Sequence, residues 1–272
     1  MVLALDRLYP PSTAADWDAV GPVCGDPGVP VSTVLLAIDP VHPVVDEAVA
    51  IGAQLLVTHH PLFLRGTSTV YGGTSKGRVV QRLLAAGCGL YVAHTNADDA
   101  PRGVNAALAR ILGLTDVQPL VPRPDGPPGT GSGRLGELSM PTTLGIFAAR
   151  VADALPTTPV GIRVAGELDR PVRRVAVCGG AGDSLLDQAV AAGADVFVTA
   201  DLRHHYSSEH LAAGGPALID PGHWASEWPW LPDAAGDLRL ALADTVEVQV
   251  SHIVTDPWTA LVTRDRREGS ER

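Results

Sequence analysis

Two distant stretches of this chain repeat one strand–helix–strand order, and that repetition limits the fold more than any single residue does. In the first, Val34-Leu35-Leu36-Ala37-Ile38-Asp39 is a short apolar run ending in a carboxylate. Pro43 to Ile51 follows with helical spacing, and Gly52-Ala53 leads into a second apolar run, Leu55-Leu56-Val57-Thr58. In the second stretch, Val175-Ala176-Val177-Cys178-Gly179-Gly180 opens the same order. A helix from about Asp183 to Ala192 comes next, then Gly193-Ala194 and the run Val196-Phe197-Val198-Thr199. Aligned on the Gly-Ala steps, Asp46 matches Asp187, Ala48-Val49 matches Ala189-Val190, and Thr58 matches Thr199. Continuous apolar strands alternating with helices imply parallel sheets covered by helices. The expectation is therefore an α/β protein with two similar α/β domains.

Both copies place histidines and carboxylates after their strands, where open α/β sheets build their sites. His59-His60 closes the run Leu55 to Thr58. The next strands, Leu90 to Ala93 and Ala217 to Ile219, lead to His94-Thr95-Asn96-Ala97-Asp98 and to His223-Trp224-Ala225-Ser226-Glu227. A histidine and a carboxylate four residues apart meet near one point if the segment opens a helix. Imidazole nitrogen with carboxylate oxygen is a donor mixture suited to zinc, manganese or iron. Three such clusters exceed the needs of one ion, so the residues read as a two-metal site.

Plainer roles compete at several positions. Asp98 or Asp99 could cap a helix over Pro101 to Leu112. His94 is a ligand or a hydrogen-bonding partner of Asp98, and its neutral-range titration also suits it to carry a proton. Gly179-Gly180-Ala181-Gly182 reads either as a phosphate cradle or as a tight turn. His204, His205 and His210 fall on a polar helix after Asp201, with a solvated or cleft-lining role. Trp224, Trp228 and Trp230 give Glu227 a partly buried, aromatic-lined setting. Val246 to Val250 alternates like an edge strand returning to the first unit.

Arg123-Pro124-Asp125-Gly126-Pro127-Pro128-Gly129-Thr130-Gly131-Ser132-Gly133 cannot be regular structure and reads as a linker. The expected division is a first domain from residues 1–122 plus about 230–272, carrying His59, His60 and Asp98. A linker over 123–133 follows, then a second domain over 134–229 carrying His223 and Glu227.

Composition excludes several classes. A formal net charge of −10 and no basic run longer than Arg264-Asp265-Arg266-Arg267 disfavour a nucleic-acid-binding face. Cys24, Cys88 and Cys178 form no Cys-x-x-Cys pair, which argues against a disulfide scaffold or a thiolate zinc knuckle. No apolar segment is long enough to span a membrane and no leader pattern opens the chain. A cytoplasmic protein with no membrane partner is expected.

The strings Trp17-Asp18-Ala19-Val20-Gly21, Thr58-His59-His60-Pro61-Leu62, His94 to Asp98 with Gly103-Val104-Asn105, Gly179 to Gly182, Thr199-Ala200-Asp201, and Ile219-Asp220-Pro221-Gly222-His223 with Glu227 resemble the Nif-three-like (NGG-one-interacting-factor-three) family. Its bacterial members carry the name GTP cyclohydrolase I type 2 homologue. The resemblance runs from about Leu5 to Pro257. It implies two similar domains facing across a cleft and a homohexameric ring. It also implies a dinuclear metal centre held by His59, His60, Asp98, His223 and Glu227, with Glu227 as the bridge. Two divalent ions beside these carboxylates keep net positive charge, which suits a small anionic, phosphorylated or nucleotide-like substrate, with Arg65 as a possible helper. The implied activity is metal-dependent hydrolysis, with His94 as proton shuttle; the alternative is a non-catalytic metal-binding scaffold or regulatory ring. Relatives commonly read Thr-Gly-Asp where this chain has Thr199-Ala200-Asp201, a change expected to restrict the backbone there.

Overall fold

The computed structural model describes residues 1–262, so the basic run Arg264 to Arg267 lies outside the described residues. Strands β1 (Gly21–Cys24), β2 (Thr33–Ala37), β3 (Leu55–Thr58) and β4 (Gly89–Val92) form one sheet, completed by the last strand, β11 (Glu247–Val250). Its order is β1-β4-β3-β2-β11, parallel throughout except for antiparallel β1. Strands β5 (Leu114–Pro122), β6 (Gly131–Thr143), β7 (Arg163–Ala165), β8 (Pro171–Ala181), β9 (Val196–Ala200) and β10 (Ala217–Asp220) form the second. Here the order is β5-β6-β8-β9-β10-β7, with β8, β9 and β10 parallel and the outer strands antiparallel.

The duplication is visible at the level of register. The offset that aligns Gly52 with Gly193 also maps the pair Val34–Leu55 of β2 and β3 onto Val175–Val196 of β8 and β9. It maps the hydrogen bond from Gln54 N to Thr33 O (3.0 Å) onto that from Asp195 N to Arg174 O (2.8 Å). Gly52 and Gly193 hold φ of +68° and +65°, a left-handed step that glycine takes without a Cβ clash. That step ends each crossover helix and returns the chain to the sheet.

Helices α1 (Val2–Leu8), α2 (His42–Ala50), α3 (Ser75–Ala85), α4 (Thr95–Asp99) and α5 (Val104–Ile111) belong to the first half of the chain. The later ones are α6 (Leu144–Ala154), α7 (Leu186–Ala191), α8 (His204–Ala212), α9 (His223–Glu227) and α10 (Trp230–Ala241). One face of the first sheet packs on α2 and α3 through Val44, Val45, Val79 and Leu83. Its other face meets α1, α9 and α10 through Leu5, Trp224, Trp230 and Leu238. Every residue of β3 is buried, and each Leu or Val there contributes roughly 1.5–3 kcal/mol on burial. That burial anchors the strand that delivers His59 and His60.

Helix α5 joins the two sheets. Val104 and Ala107 enter the core of the first, while Leu108, Ala109 and Leu112 enter that of the second. No polar side chain caps α5, so neither Asp98 nor Asp99 serves as its N-cap.

The Pro/Gly-rich segment is a hairpin loop inside the second sheet, not a linker between domains. It connects β5 to β6, closed by hydrogen bonds from Arg123 N to Thr130 O and from Thr130 N to Pro127 O, both 3.0 Å. Residues 114–122 accordingly pair with the second sheet. Gly131 and Gly133 resemble linker glycines in sequence, yet they are strand residues in close contact. A Cβ on Gly131 would overlap Val121 O, and one on Gly133, at φ +61°, would meet Val177 O at 3.0 Å. The tail strand β11 pairs in parallel with β2 at the edge of the first sheet.

Candidate metal centre

The strand ends of both sheets converge. Backbone bonds from His59 N to Ala37 O (3.1 Å) and from His60 N to Ile38 O (2.8 Å) continue the ladder past β3, and Thr58 Oγ1 donates to His60 O at 2.9 Å. Adjacent side chains in extended backbone normally diverge. Here the two rings remain 5.0 Å apart and tilt toward the same carboxylate. His59 Nε2 lies 3.5 Å from Glu227 Oε1, and His60 Nε2 lies 3.1 Å from Glu227 Oε2. His223 Nε2, one helical turn before Glu227, is 3.0 Å from Oε1. Asp98 Oδ1 is 3.5 Å from His59 Nε2. Two compact donor triads result, His59–His60–His94 and His60–His223–Glu227, sharing His60.

Each histidine is oriented through its other nitrogen. Nδ1 of His59 donates to Ala93 O at 2.9 Å, that of His60 to Asp39 at 2.7 Å, that of His223 to Asp201 at 2.8 Å, and that of His94 to Asp18 at 2.9 Å. A ring whose Nδ1 proton is held in this way ligates a metal through Nε2 once that nitrogen carries no proton. Asp39, Asp201 and Asp18, which accept these hydrogen bonds, are residues that sequence reasoning did not single out for this role. The available signal was their position: Asp39 and Asp201 each directly follow an apolar strand run.

Charge and burial suit this cluster to hold a cation. His59 Nε2 and Asp98 Oδ1 are buried without a hydrogen-bond partner among the described residues, 3.5 Å from each other and beside the Glu227 carboxylate. Unpaired buried polar atoms are costly, and these two with Glu227 form a donor set that a divalent ion would suit. Burial raises the Asp98 carboxyl, and the Glu227 charge adds to that, bringing it to about 8. Burial works against the charge on His60, but Glu227 and Asp39 outweigh it and lift the ring to about 11. The same opposition raises His223 to about 9. Burial would raise Glu227 as well, but the surrounding histidines hold it well below the usual carboxylate range.

The glycines of the second copy make room for this cluster. Gly180 sits at φ +64°, where a Cβ would overlap Glu227 Oε1 and stand 3.0 Å from His223 Nε2. The N–H groups of Gly179 and Gly180 donate to Asn105 Oδ1 and Ser226 Oγ, at 2.8 and 2.9 Å. They are therefore committed within the protein, and the phosphate-cradle alternative does not describe them. The left-handed residue near β9 is Asp201, at φ +56°, not Ala200, so the alanine in Thr199-Ala200-Asp201 imposes no such strain. Aspartate tolerates that conformation better than most side chains.

Other candidates lie elsewhere. His204, His205 and His210 are on α8, which buries none of its residues. The first two rings pack on each other at 5.2 Å, and His210 contacts Pro216 O at 3.1 Å. Arg65 occupies the exposed loop after Leu62. Trp224 and Trp230 are buried core residues behind the site, and Trp230 Nε1 donates to the Tyr9 hydroxyl at 3.1 Å.

Comparison with known proteins agrees with this architecture. A Streptomyces coelicolor protein named GTP cyclohydrolase 1 type 2 homolog is 54% identical over 267 residues, covering 96% of this chain and 93% of its own. The crystal structure of a Bacillus cereus protein related to NIF3 superposes with a TM-score of 0.88 at 25% identity, covering 96% of this chain and 98% of that one. A Staphylococcus aureus hypothetical protein gives a TM-score of 0.86 at 30% identity, covering 96% and 97%. Among the described residues no helix is long and apolar enough to cross a membrane. The model of the Duf34/NIF3 (NGG1p interacting factor 3) family matches residues 1–257, a span that takes in both sheets and the whole histidine–carboxylate cluster. The chain belongs to that family.

Proposed function

We propose that this protein is a metal-dependent hydrolase of a phosphorylated, nucleotide-like substrate, with two divalent ions held by His59, His60, Asp98, His223 and Glu227. The observation that carries the reading is the convergence of buried donor atoms on Glu227, with His59 Nε2 and Asp98 Oδ1 lacking any hydrogen-bond partner among the described residues. Zinc, manganese or iron suits the donor set and, once bound, supplies Lewis acidity that activates water and polarises the bond to be broken. The protein's own contribution is orientation and proton transfer. Asp39, Asp201 and the Ala93 carbonyl fix three ligand rings.

His94 has a different task. Asp18, whose side chain is fully buried, accepts from His94 Nδ1 and also from the Thr95 N–H and hydroxyl. The His94 ring packs edge-on to His59 at 5.1 Å, so its Nε2 can take a proton from an attacking water or return one to a leaving group. A cavity of about 810 Å³ opens beside His60 and His223, within the range of small-molecule sites.

The name carried by the Streptomyces coelicolor relative supplies one concrete substrate, GTP. There, water would add at carbon 8 of guanine and open the imidazole ring to a formamide, and a second water would release formate. The test is metal-stripped protein reloaded with zinc, manganese or iron and incubated with GTP, assayed for formate and for phosphate, beside Glu227→Ala. Either product appearing only with metal, and not in the variant, supports the hydrolase reading and names the bond. Neither product from a metal-loaded protein removes GTP and favours a metal-binding scaffold. Light scattering on the same sample checks the homohexamer that the resemblance implies.

A further inference from the structure

The chain beyond β11 forms a wall of the cavity at the candidate centre. From Ser251 to Val262 it has no regular structure, yet it is tied down at defined points. Ser251 N donates to Leu36 O at 2.8 Å, and Ser251 Oγ to Glu47 Oε2 at 2.5 Å. Thr255 Oγ1 donates to Asp39 Oδ2, on the same carboxylate that orients His60. One aspartate thus fixes both a ring of the centre and a segment that lines the adjacent cavity. Three residues beyond Thr255, Trp258 lines the cavity while 66% exposed, and Leu261 and Ile162 continue the apolar wall.

The charges on this cavity are one-sided. Asp39, Asp201, Asp220 and Asp256 all line it; Arg163, its one arginine, pairs with Asp220, His60 and His223 pair with Asp39 and Asp201, and Asp256 has no ion pair among the described residues. These walls therefore offer an anionic group no unpaired cation, and its attraction is to the centre at His60 and His223. An uncharged planar group, in contrast, finds a free indole face. An exposed tryptophan beside a polar centre offers stacking that is tolerant of base identity.

Resting on the metal-dependent reading above, we infer that Trp258 is the specificity-determining residue of this site, stacking on the base of a nucleoside monophosphate whose phosphate faces His60 and His223. The phosphoester, rather than the base, then meets the centre. In this orientation carbon 8 of a purine lies away from the histidines, which favours phosphate release over ring opening.

The experiment is calorimetric titration of manganese-loaded protein with AMP, GMP and ribose 5-phosphate, in the wild type, Trp258→Ala and Trp258→Phe, with metal content measured in each. Because Trp258 is largely exposed, both variants should fold and keep their metal. AMP and GMP are expected to bind about tenfold more tightly than ribose 5-phosphate. Trp258→Ala should bring them down to the ribose 5-phosphate level, and Trp258→Phe should retain most of the preference. Equal binding of all three by the wild type, a preference that survives Trp258→Ala, or no binding at all would overturn the assignment. Phosphate release is assayed on the same samples: preference with no phosphate released would count against the hydrolase reading alone, and phosphate release without preference against Trp258 alone.

Discussion

The Nε2 atoms of His60 and His223 face each other across 3.2 Å, although 163 residues separate them in the chain. Each ring donates from Nδ1 to its own aspartate, so two neutral rings would oppose lone pair to lone pair. The arrangement is stable only with a cation at that point, a proton or a metal ion. This competition generates the first prediction.

Metal affinity should rise with pH. His60 is raised to about 11, His223 to about 9 and Asp98 to about 8, so these groups hold protons near neutrality. Protonated imidazole cannot ligate, and metal uptake must expel those protons. Zinc titrations in buffers of different ionisation enthalpy should show proton release at pH 7 and weaker binding at pH 5.5. Affinity independent of pH across that interval would contradict the proposed donors.

Asp39→Asn and Asp201→Asn should each weaken metal binding by about 10–100-fold without removing a ligand. Both variants keep the side-chain volume but replace the charged acceptor of Nδ1–H with a neutral amide that polarises the ring less. Equilibrium dialysis against a competing chelator measures the change. Unchanged affinity in both would mean that these aspartates do not orient the rings.

Gly180→Ala and Gly193→Ala share a left-handed backbone, with φ of +64° and +65°, and differ in surroundings. Nothing lies within 4 Å of a Cβ at Gly193, so that variant should lose only about 1–2 kcal/mol of stability and keep its metal. At Gly180 the new methyl strikes Glu227, so metal content should fall as well. Thermal unfolding and elemental analysis of the pair separate strain from site damage.

Asp18 predicts a pH dependence of opposite origin. Burial would raise its carboxyl, but hydrogen bonds from His94 and Thr95 hold it well below the usual carboxylate range. A folded-state value below the unfolded one contributes stability that is complete above about pH 4–5 and is lost as pH falls through the folded value. Asp18→Asn should therefore cost roughly 1–2 kcal/mol at pH 7 and flatten the acid limb of the stability curve. Chemical denaturation between pH 3 and 7 tests this; parallel curves for the two proteins would refute it.

Much of the fold was legible because strands buried on both faces cannot hide their composition. The runs Val34 to Ile38 and Val196 to Thr199 contain almost no polar residue, and Gly52 and Gly193 punctuate both crossovers. The hairpin from Arg123 to Thr130 was not legible. Gly131 and Gly133 are needed for close approach to Val121 and Val177, and nothing local distinguishes such glycines from those of a linker. His59, His60, His223 and Glu227 stood out because several imidazole–carboxylate clusters follow apolar strands in one chain, more donors than a single ion needs.

By itself the sequence determined the repeated strand–helix–strand unit and the kinds of donor at its strand ends, since apolar periodicity and ligand type are properties of short segments. Only the tertiary structure decided that Asp39, Asp201 and Asp18 hold the rings, that Gly180 clears space for Glu227, and that Trp258 lines the same cavity as His60. Those relations depend on backbone brought together from distant parts of the chain. Long-range packing fixes such distances, and no local pattern records them.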